Sequence, residues 1–231
     1  MRLGTRGTKL ADGGRFDIEA MLGRLERMLS EVRACEACAH KLPLGPRPIV
    51  QIGSEAKLLI AGQAPGRKVL QTGVPFDDPS GDTLRAWLGI DRTTFYDPSQ
   101  IAILPMAFCY PGRSRRGDLP PSPECAPLWR ARLLALMPKV ELTLVVGRYA
   151  QLHHLAAGGK AILAETVRAY QEYLPRTFPL PHPSPRNGPW LKRHPWFEAE
   201  VIPALRKIVA HALAKHQPRA NSSAEADDPV D

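Results

Sequence analysis

Two loops in this sequence carry residue types suited to chemistry, and each directly follows an apolar run. Residues 62–66 (GQAPG) follow the run 57–61, and residues 182–187 (HPSPRN) follow the shorter run 177–180. Open α/β sheets bind their ligands in loops at the carboxyl ends of their strands. The two loops are therefore predicted to form one site, and together they indicate an enzyme that acts on nucleotides.

The four cysteines form a second constellation. Cys35 and Cys38 are spaced C-x2-C after a predicted helix, and Cys109 and Cys125 flank a loop rich in proline and arginine. Four thiolates can hold a [4Fe-4S] cluster or a structural zinc ion, and spacing alone does not choose between them. Two disulfides or a plain buried set are the alternatives. With no secretory signal or long apolar span in view, we expect a reducing cytoplasm and no membrane association, which makes disulfides less favoured.

The composition indicates one domain and an anionic partner. The chain has 231 residues, of which 44% are hydrophobic, enough for a sizeable core. Its 31 Lys and Arg exceed its 23 Asp and Glu, which favours binding to a polyanion such as nucleic acid. We expect a single domain over 16–215. Disorder is expected in 1–15, which is rich in Gly, Lys and Arg, and in 216–231, which is small, polar and acidic.

Apolar patterning predicts the elements that position the two loops. Buried strands are predicted at 57–61, 101–106, 142–146 and 177–180, and helices from Ile18 to Val32, through 84–88, over 125–136, and over 195–215 with a kink at Pro203. Strands that alternate with helices form a parallel sheet covered on both faces. The predicted fold is thus a three-layer α/β/α sandwich around a short, mainly parallel, four-stranded sheet.

On these motifs the sequence resembles the uracil-DNA glycosylase superfamily, and in particular its iron-sulfur type, family 4. The resemblance spans roughly 18–213 and is carried by the loop 62–66, by 73–76 (GVPF), by the four cysteines and by 182–184, whose extension through 187 is similar to the single-strand-selective branch. It implies a monomeric, monofunctional DNA glycosylase that hydrolyses the N-glycosidic bond of a flipped deaminated base, with uracil as the first expectation. It also implies a [4Fe-4S] cluster on the four cysteines, single- or double-stranded damaged DNA as partner, and a place at the bacterial nucleoid.

The resemblance assigns roles to residues in the loops. His182 donates a hydrogen bond to the O2 of the departing pyrimidine, whose negative charge must be stabilised. Phe76 presents a ring on which the flipped base stacks. The backbone amides of Gln63 and Ala64 approach the base or a water molecule. Simpler roles remain open for two of these residues, a backbone-capping histidine and a core phenylalanine.

The end of the second motif is suited to holding DNA. Ser184 between two prolines fits a rigid contact to phosphate, and Arg186 or Asn187 could enter the space that the flipped nucleotide leaves. Arg186 could equally contact phosphate. In the loop between the last two cysteines, Arg113, Arg115 and Arg116 are either a DNA-backbone contact or a solvated charged surface.

The sequence departs from the family pattern at three positions. Family 4 has a carboxylate where this chain has Gln63, whose amide can orient a water but cannot accept its proton, and family 1 has Asp where this chain has Ala64. Asp77, Asp78 or Asp82 could substitute, although Asp82 could instead cap the helix through 84–88.

The third departure concerns base specificity. Pro105 occupies the position of the family's base-recognising Asn, and it has no side-chain amide and no N–H. Either Gln63, Asn187 or another residue recognises the base, or the preferred base is not uracil. A noncatalytic DNA-binding or damage-sensing protein is the alternative function, and a zinc-stabilised nucleotide-binding domain is a third.

Overall fold

A computed structural model describes residues 12–115, 117–155 and 159–214. In this part of the chain the strands are β1 (Leu58–Ala61), β2 (Ile101–Ile103), β3 (Arg113–Ser114), β4 (Gly117–Asp118), β5 (Leu142–Val146) and β6 (Thr177–Leu180). The α-helices are α1 (Asp12–Arg33), α2 (Val69–Thr72), α3 (Pro79–Leu88), α4 (Arg92–Phe95), α5 (Cys125–Leu134), α6 (Arg148–Leu155), α7 (Leu163–Arg168), α8 (Gly188–Arg193) and α9 (Ile202–Ala214).

Four strands of the described chain form a parallel sheet in the order β2-β1-β5-β6. The central strand β1 pairs Leu58 with Ile101 on one side and with Leu142 on the other. Every residue of β1 and β2 is buried. Strands this apolar on both faces need cover on both faces, and the helices provide it.

Alternate residues of β1 face opposite layers. Leu58 and Ile60 pack in the cluster that contains α3 and α9, whereas Leu59 packs with α1 and α5 and Ala61 packs with α6. This alternation is the two-residue period of a strand. The predicted α/β/α sandwich with a parallel four-stranded sheet is confirmed.

Several predicted boundaries move. Helix α1 begins at Asp12 rather than near Ile18, so residues 12–15 of the predicted disordered terminus are helical, while 1–11 and 215–231 lie outside the described residues. Strand β2 ends at Ile103 rather than 106. The predicted helix over 195–215 is a π-helical turn, Phe197–Val201, followed by α9. Pro203 has no N–H to donate to the carbonyl four residues earlier, which accounts for the widened turn ahead of it.

The carboxyl ends of the strands meet at one edge of the sheet. The loop after β2 is bonded to the loop after β1, because the amides of Met106 and Ala107 donate to the carbonyls of Gly62 and Gln63 at 2.9 and 3.0 Å. After β5, the amide of Gly147 donates to Leu180 O at 2.9 Å. The predicted loops are therefore neighbours. No helix in the described ranges is long and apolar enough to cross a membrane.

Candidate active site

A cavity of about 590 Å³ opens at this edge of the sheet. Its lining includes Gln63, Ala64, Phe76, His182, Ser184 and Arg186. The size is in the usual range for small-molecule sites. Of the predicted site residues outside the cysteine set, Asn187 is the one that does not line the cavity: its side-chain nitrogen donates to the carbonyl of His182 at 2.5 Å and so supports the loop from behind.

His182 is delivered by β6 into the cavity. Burial lowers the pKa of its imidazole, and the carboxylates of Asp78 and Asp118 act in the opposite direction. The ring is therefore neutral near pH 7 and carries one N–H donor. Gly147 makes room for it: its φ of 81° is in the left-handed region, and a Cβ at that position would lie 3.5 Å from the Cβ of His182.

The ring of Phe76 lines the cavity near the first loop. A Cβ built on Gly62 would lie 3.5 Å from Cζ of Phe76. The φ of Phe76 is 57°, an uncommon conformation for a bulky residue, costing roughly 1–3 kcal/mol and requiring support from its surroundings.

Helix α3 and a second ring supply that support. The carbonyl of Phe76 is so close to Gly81 that a Cβ there would lie 1.7 Å from the oxygen. Nη1 of Arg85 donates to the same carbonyl at 3.5 Å, and the ring of Phe76 packs edge-on against Phe95 with centroids 6.2 Å apart.

The side chain of Gln63 contacts a neighbouring loop. Its Nε2 donates to the carbonyl of Leu119 at 2.7 Å. Leu119 follows β4, which pairs with β3 in the antiparallel ladder Arg113↔Asp118 and Ser114↔Gly117. Gln63 thus fastens this hairpin, residues 113–118, to the first loop. Ala64 is half-buried and packs against the core between α1 and α5.

Among the described residues, the carboxylates that line the cavity are Asp78 and Asp118, whereas Asp77 and Asp82 lie outside its lining. Asp77 pairs with Arg92 at 2.9 Å, and Asp82 pairs with Arg85 at 2.5 Å. Asp78 caps α3, because its Oδ1 accepts from the amide of Gly81 at 3.0 Å. The cap is therefore Asp78 and not Asp82, since Pro79 takes the first helical position.

The second oxygen of Asp78 is turned toward the first loop. A Cβ built on Gly66 would lie 3.5 Å from its Oδ2. Asp118 is the other carboxylate of the cavity. It comes from the hairpin, whose two-residue strands are too short to leave a periodic signal in the sequence, so sequence reasoning missed it.

Basic side chains surround the cavity. Arg67, Lys68, Arg113 and Arg186 all line it. The hydroxyl of Ser184 accepts from the amide of Arg186 at 3.3 Å, which stabilises the turn after His182. Arg115 is exposed outside the cavity lining, and Arg116 lies outside the described residues.

The four cysteines line a separate pocket with apolar walls, including Phe108, Leu128 and Trp129. None is in a disulfide. Burial, together with the charges of the neighbouring cysteines, raises the pKa of Cys109 to about 11 and that of Cys125 to about 12. Over the described ranges, no group of three or more His, Cys, Asp or Glu side chains is already arranged to hold a metal ion.

Several N–H groups are directed at these sulfurs. The indole N–H of Trp129 donates to Sγ of Cys35 at 3.3 Å. The backbone amides of Arg47 and Phe108 contact Cys109 and Cys125 and act to lower their pKa values. At Cys109 and Cys125 these amides oppose the effect of burial without reversing it.

The fold and the cavity define a class: an α/β/α protein whose parallel sheet carries, at its carboxyl edge, a basic cavity with a neutral histidine and an aromatic ring. Residues 50–206 match the family model of the uracil DNA glycosylase superfamily, and the chain belongs to that superfamily. Its function is accordingly of the DNA glycosylase type, that of a hydrolase acting on DNA.

A solved structure similar to this chain is the solution NMR structure of a protein from Methanosarcina acetivorans, provisionally named a uracil DNA glycosylase. The two are 17% identical, and the match covers 70% of this chain and 97% of that chain with a TM-score of 0.42.

Proposed function

We propose that this protein is a monofunctional DNA glycosylase of the iron-sulfur type, which hydrolyses the N-glycosidic bond of a deaminated base flipped out of DNA, with uracil as the first substrate to test. The observation that carries the proposal is the shared cavity of His182 and Phe76: a neutral N–H donor and a flat ring in one basic, nucleotide-sized space.

The proposed reaction is a hydrolysis. The bond between C1′ and the base nitrogen breaks and its electron pair leaves with the base, while the N–H of His182 stabilises the negative charge that develops on the base oxygen. A water oxygen then bonds to C1′ and loses a proton, and the departed base anion takes up a proton in turn. The products are the free base and an abasic sugar, and no electron is transferred to another molecule.

Asp78 is the carboxylate that we assign to the water. Its Oδ1 is fixed by the amide of Gly81, its Oδ2 is turned toward the first loop, and it is close enough to His182 to affect its pKa. A carboxylate held in this way can orient a water and accept its proton. Asp78 thus supplies the proton acceptor that neither Gln63 nor Ala64 provides.

The basic side chains around the cavity are suited to phosphates. Arg67 and Lys68 border it after the first loop, Arg113 lies on the hairpin, and Arg186 follows His182. We propose that they hold the strand on both sides of the flipped nucleotide, with Ser184 as a further phosphate contact. We further propose that the protein acts as a monomer in the cytoplasm, at the nucleoid.

The cysteine pocket fits a thiolate-ligated group. Sulfurs from Cys35, Cys38, Cys109 and Cys125 line it, and N–H donors are directed at three of them. These four residues would hold a [4Fe-4S] cluster, with zinc as the alternative. The cluster would supply a rigid cross-link between distant segments, since the hydrolysis needs no electrons. Iron, sulfide and zinc analysis of purified protein distinguishes the two groups.

The decisive experiment is an excision assay with end-labelled oligonucleotides, single- and double-stranded, carrying uracil, hypoxanthine, xanthine or normal bases. Asp78→Asn keeps the helix cap, because Asn caps as well as Asp, but removes the carboxylate that accepts the proton from water. We expect it to lower excision by roughly 10²–10⁴-fold. His182→Ala is expected to abolish excision with DNA binding retained, whereas full activity in either variant would refute its assigned role.

One observation favours a noncatalytic DNA-binding protein as the second candidate. The amide nitrogen of Gln63, at the position of the family carboxylate, is occupied by Leu119 O, and Pro105 offers no amide to a base. That function predicts no excision of any base by the wild-type protein, together with intact binding to DNA that contains an unpaired or damaged nucleotide.

A further inference from the structure

The cavity wall at Pro105 cannot recognise a base through hydrogen bonds. Proline has no N–H and no polar side chain. Its carbonyl could still accept, but Nη1 of Arg130 donates to Pro105 O at 3.0 Å and to Leu104 O at 2.7 Å. Arg130 is 2% exposed, so these bonds lie in the interior and already engage the Pro105 carbonyl.

Tyr110 provides a polar group in the same cavity. It is 5% exposed and shares the lining with the apolar side chains of Ile49 and Ile103 and with Pro105. In the part of the chain that the structure describes, its hydroxyl has no hydrogen-bond partner, yet it is not among the fully enclosed polar atoms that lack one. Its oxygen is therefore partly accessible as well as unpartnered, and on a residue that lines the cavity it is available to bond a molecule that fills the cavity.

We propose that the hydroxyl of Tyr110 recognises the hydrogen-bonding edge of the flipped base, in place of the amide that Pro105 lacks. This inference rests on the proposed function and makes its substrate more specific. A hydroxyl has one donor and two acceptor lone pairs and can rotate. It can donate to the carbonyl of uracil or of hypoxanthine, whereas a fixed side-chain amide presents its donor and acceptor in one pattern.

The consequence is that deaminated pyrimidines and deaminated purines can both be accommodated. A carbonyl replaces an amino group in each of them, and a rotating O–H can donate to that carbonyl on either a pyrimidine or a purine. The cavity of about 590 Å³ has room for both ring sizes. A side-chain amide needs two hydrogen bonds in a fixed pattern, which a purine would not match. The hydroxyl needs only one.

The test compares wild type with Tyr110→Phe, which removes the hydroxyl alone. Tyr170→Phe is the matched control, because Tyr170 is a half-buried tyrosine that stacks on Phe178 outside the cavity lining. Single-turnover excision is measured on uracil and hypoxanthine oligonucleotides. We expect Tyr110→Phe to lose roughly 10-fold on both bases, the equivalent of one hydrogen bond, and the control to match wild type. Unchanged rates for Tyr110→Phe would overturn the inference.

A binding measurement separates this inference from the proposed function. Oligonucleotides with uncleavable 2′-fluoroarabino uridine, or with its 4-deoxy analogue, which keeps the ring but lacks the O4 carbonyl, report the contribution of that carbonyl to binding without any reaction. If wild type excises nothing, the enzyme proposal fails; a preference for the uridine oligonucleotide that Tyr110→Phe loses would still support the inference. A preference that survives in Tyr110→Phe, or no preference in wild type, would refute it.

Discussion

Replacing Arg130 with Met is a quantitative test of the interior beneath the active cavity. Arg130 makes three hydrogen bonds there: to Leu104 O at 2.7 Å, to Pro105 O at 3.0 Å and to Nε2 of His154 at 2.7 Å. Methionine keeps much of the apolar stem and leaves all three acceptors without their donor.

The expected change is the difference of two opposing effects. Hydrogen bonds from a charged donor contribute about 1.5–3 kcal/mol each, so the three lose about 4.5–9 kcal/mol. Burial lowers the pKa of the guanidinium to about 10, and removing that buried charge recovers about 3 kcal/mol from its usual pKa near 12.5. The net loss in the free energy of unfolding is of the order of 3 kcal/mol, or about 6–12 °C in Tm for a domain of this size.

Thermal unfolding followed by calorimetry measures this loss, and Arg132→Met is the control. Arg132 lies on the same helix, α5, and its pair with Glu31 at 2.7 Å is exposed to solvent. Exposed ion pairs contribute about 0–1 kcal/mol, so this variant is expected to unfold close to the wild-type temperature. Equal Tm values for the two variants would show that the buried hydrogen bonds do not stabilise the protein as argued.

Three further predictions concern the ring, the hairpin and the buried histidine. Phe76→Leu should weaken binding to an oligonucleotide with an uncleavable flipped base by about 1–3 kcal/mol, measured by fluorescence anisotropy; an unchanged Kd would place the base elsewhere. Gln63→Ala should release the hairpin and speed proteolysis between 113 and 119, and an unchanged cleavage pattern would contradict the anchor at Leu119 O. Burial, followed by the charge of Arg130, lowers the pKa of His154 to about 3, so stability that is present above about pH 6.5 should be lost as pH falls toward 3. In His154→Gln the free energy of unfolding should change less with pH over this range, and a slope identical to that of wild type would contradict the prediction.

Apolar runs were sufficient to predict the sheet. Strands β5 and β6 have the predicted bounds because buried parallel strands are continuous apolar segments between breakers. A common cavity for His182 and Phe76 was expected only from the family resemblance. Once the strands are parallel, however, their carboxyl ends must meet at one edge, so the loops 62–66 and 182–187 were predictable neighbours. The distance in sequence between the two loops did not obscure this.

Long-range side-chain contacts were not predictable. The bond from Gln63 to Leu119 joins residues far apart in sequence, and neither residue type indicates the other. Arg130 sits on a helix without a clear apolar stripe, and a sequence pattern gives no reason to bury it. Asp118 enters the cavity through a hairpin of two-residue strands. Each of these depends on tertiary packing, which local propensity does not encode.

The hairpin, residues 113–118, lies between two cysteines and contributes Arg113 and Asp118 to the cavity, yet none of its described residues belongs to the three core clusters. The hairpin is consequently a modular part of the molecule. Its length and sequence can be exchanged between related proteins, or randomised in a library, with the sheet left as a constant scaffold. Substrate range can therefore diversify in this segment at little cost in folding, provided that the contact to Gln63 is rebuilt.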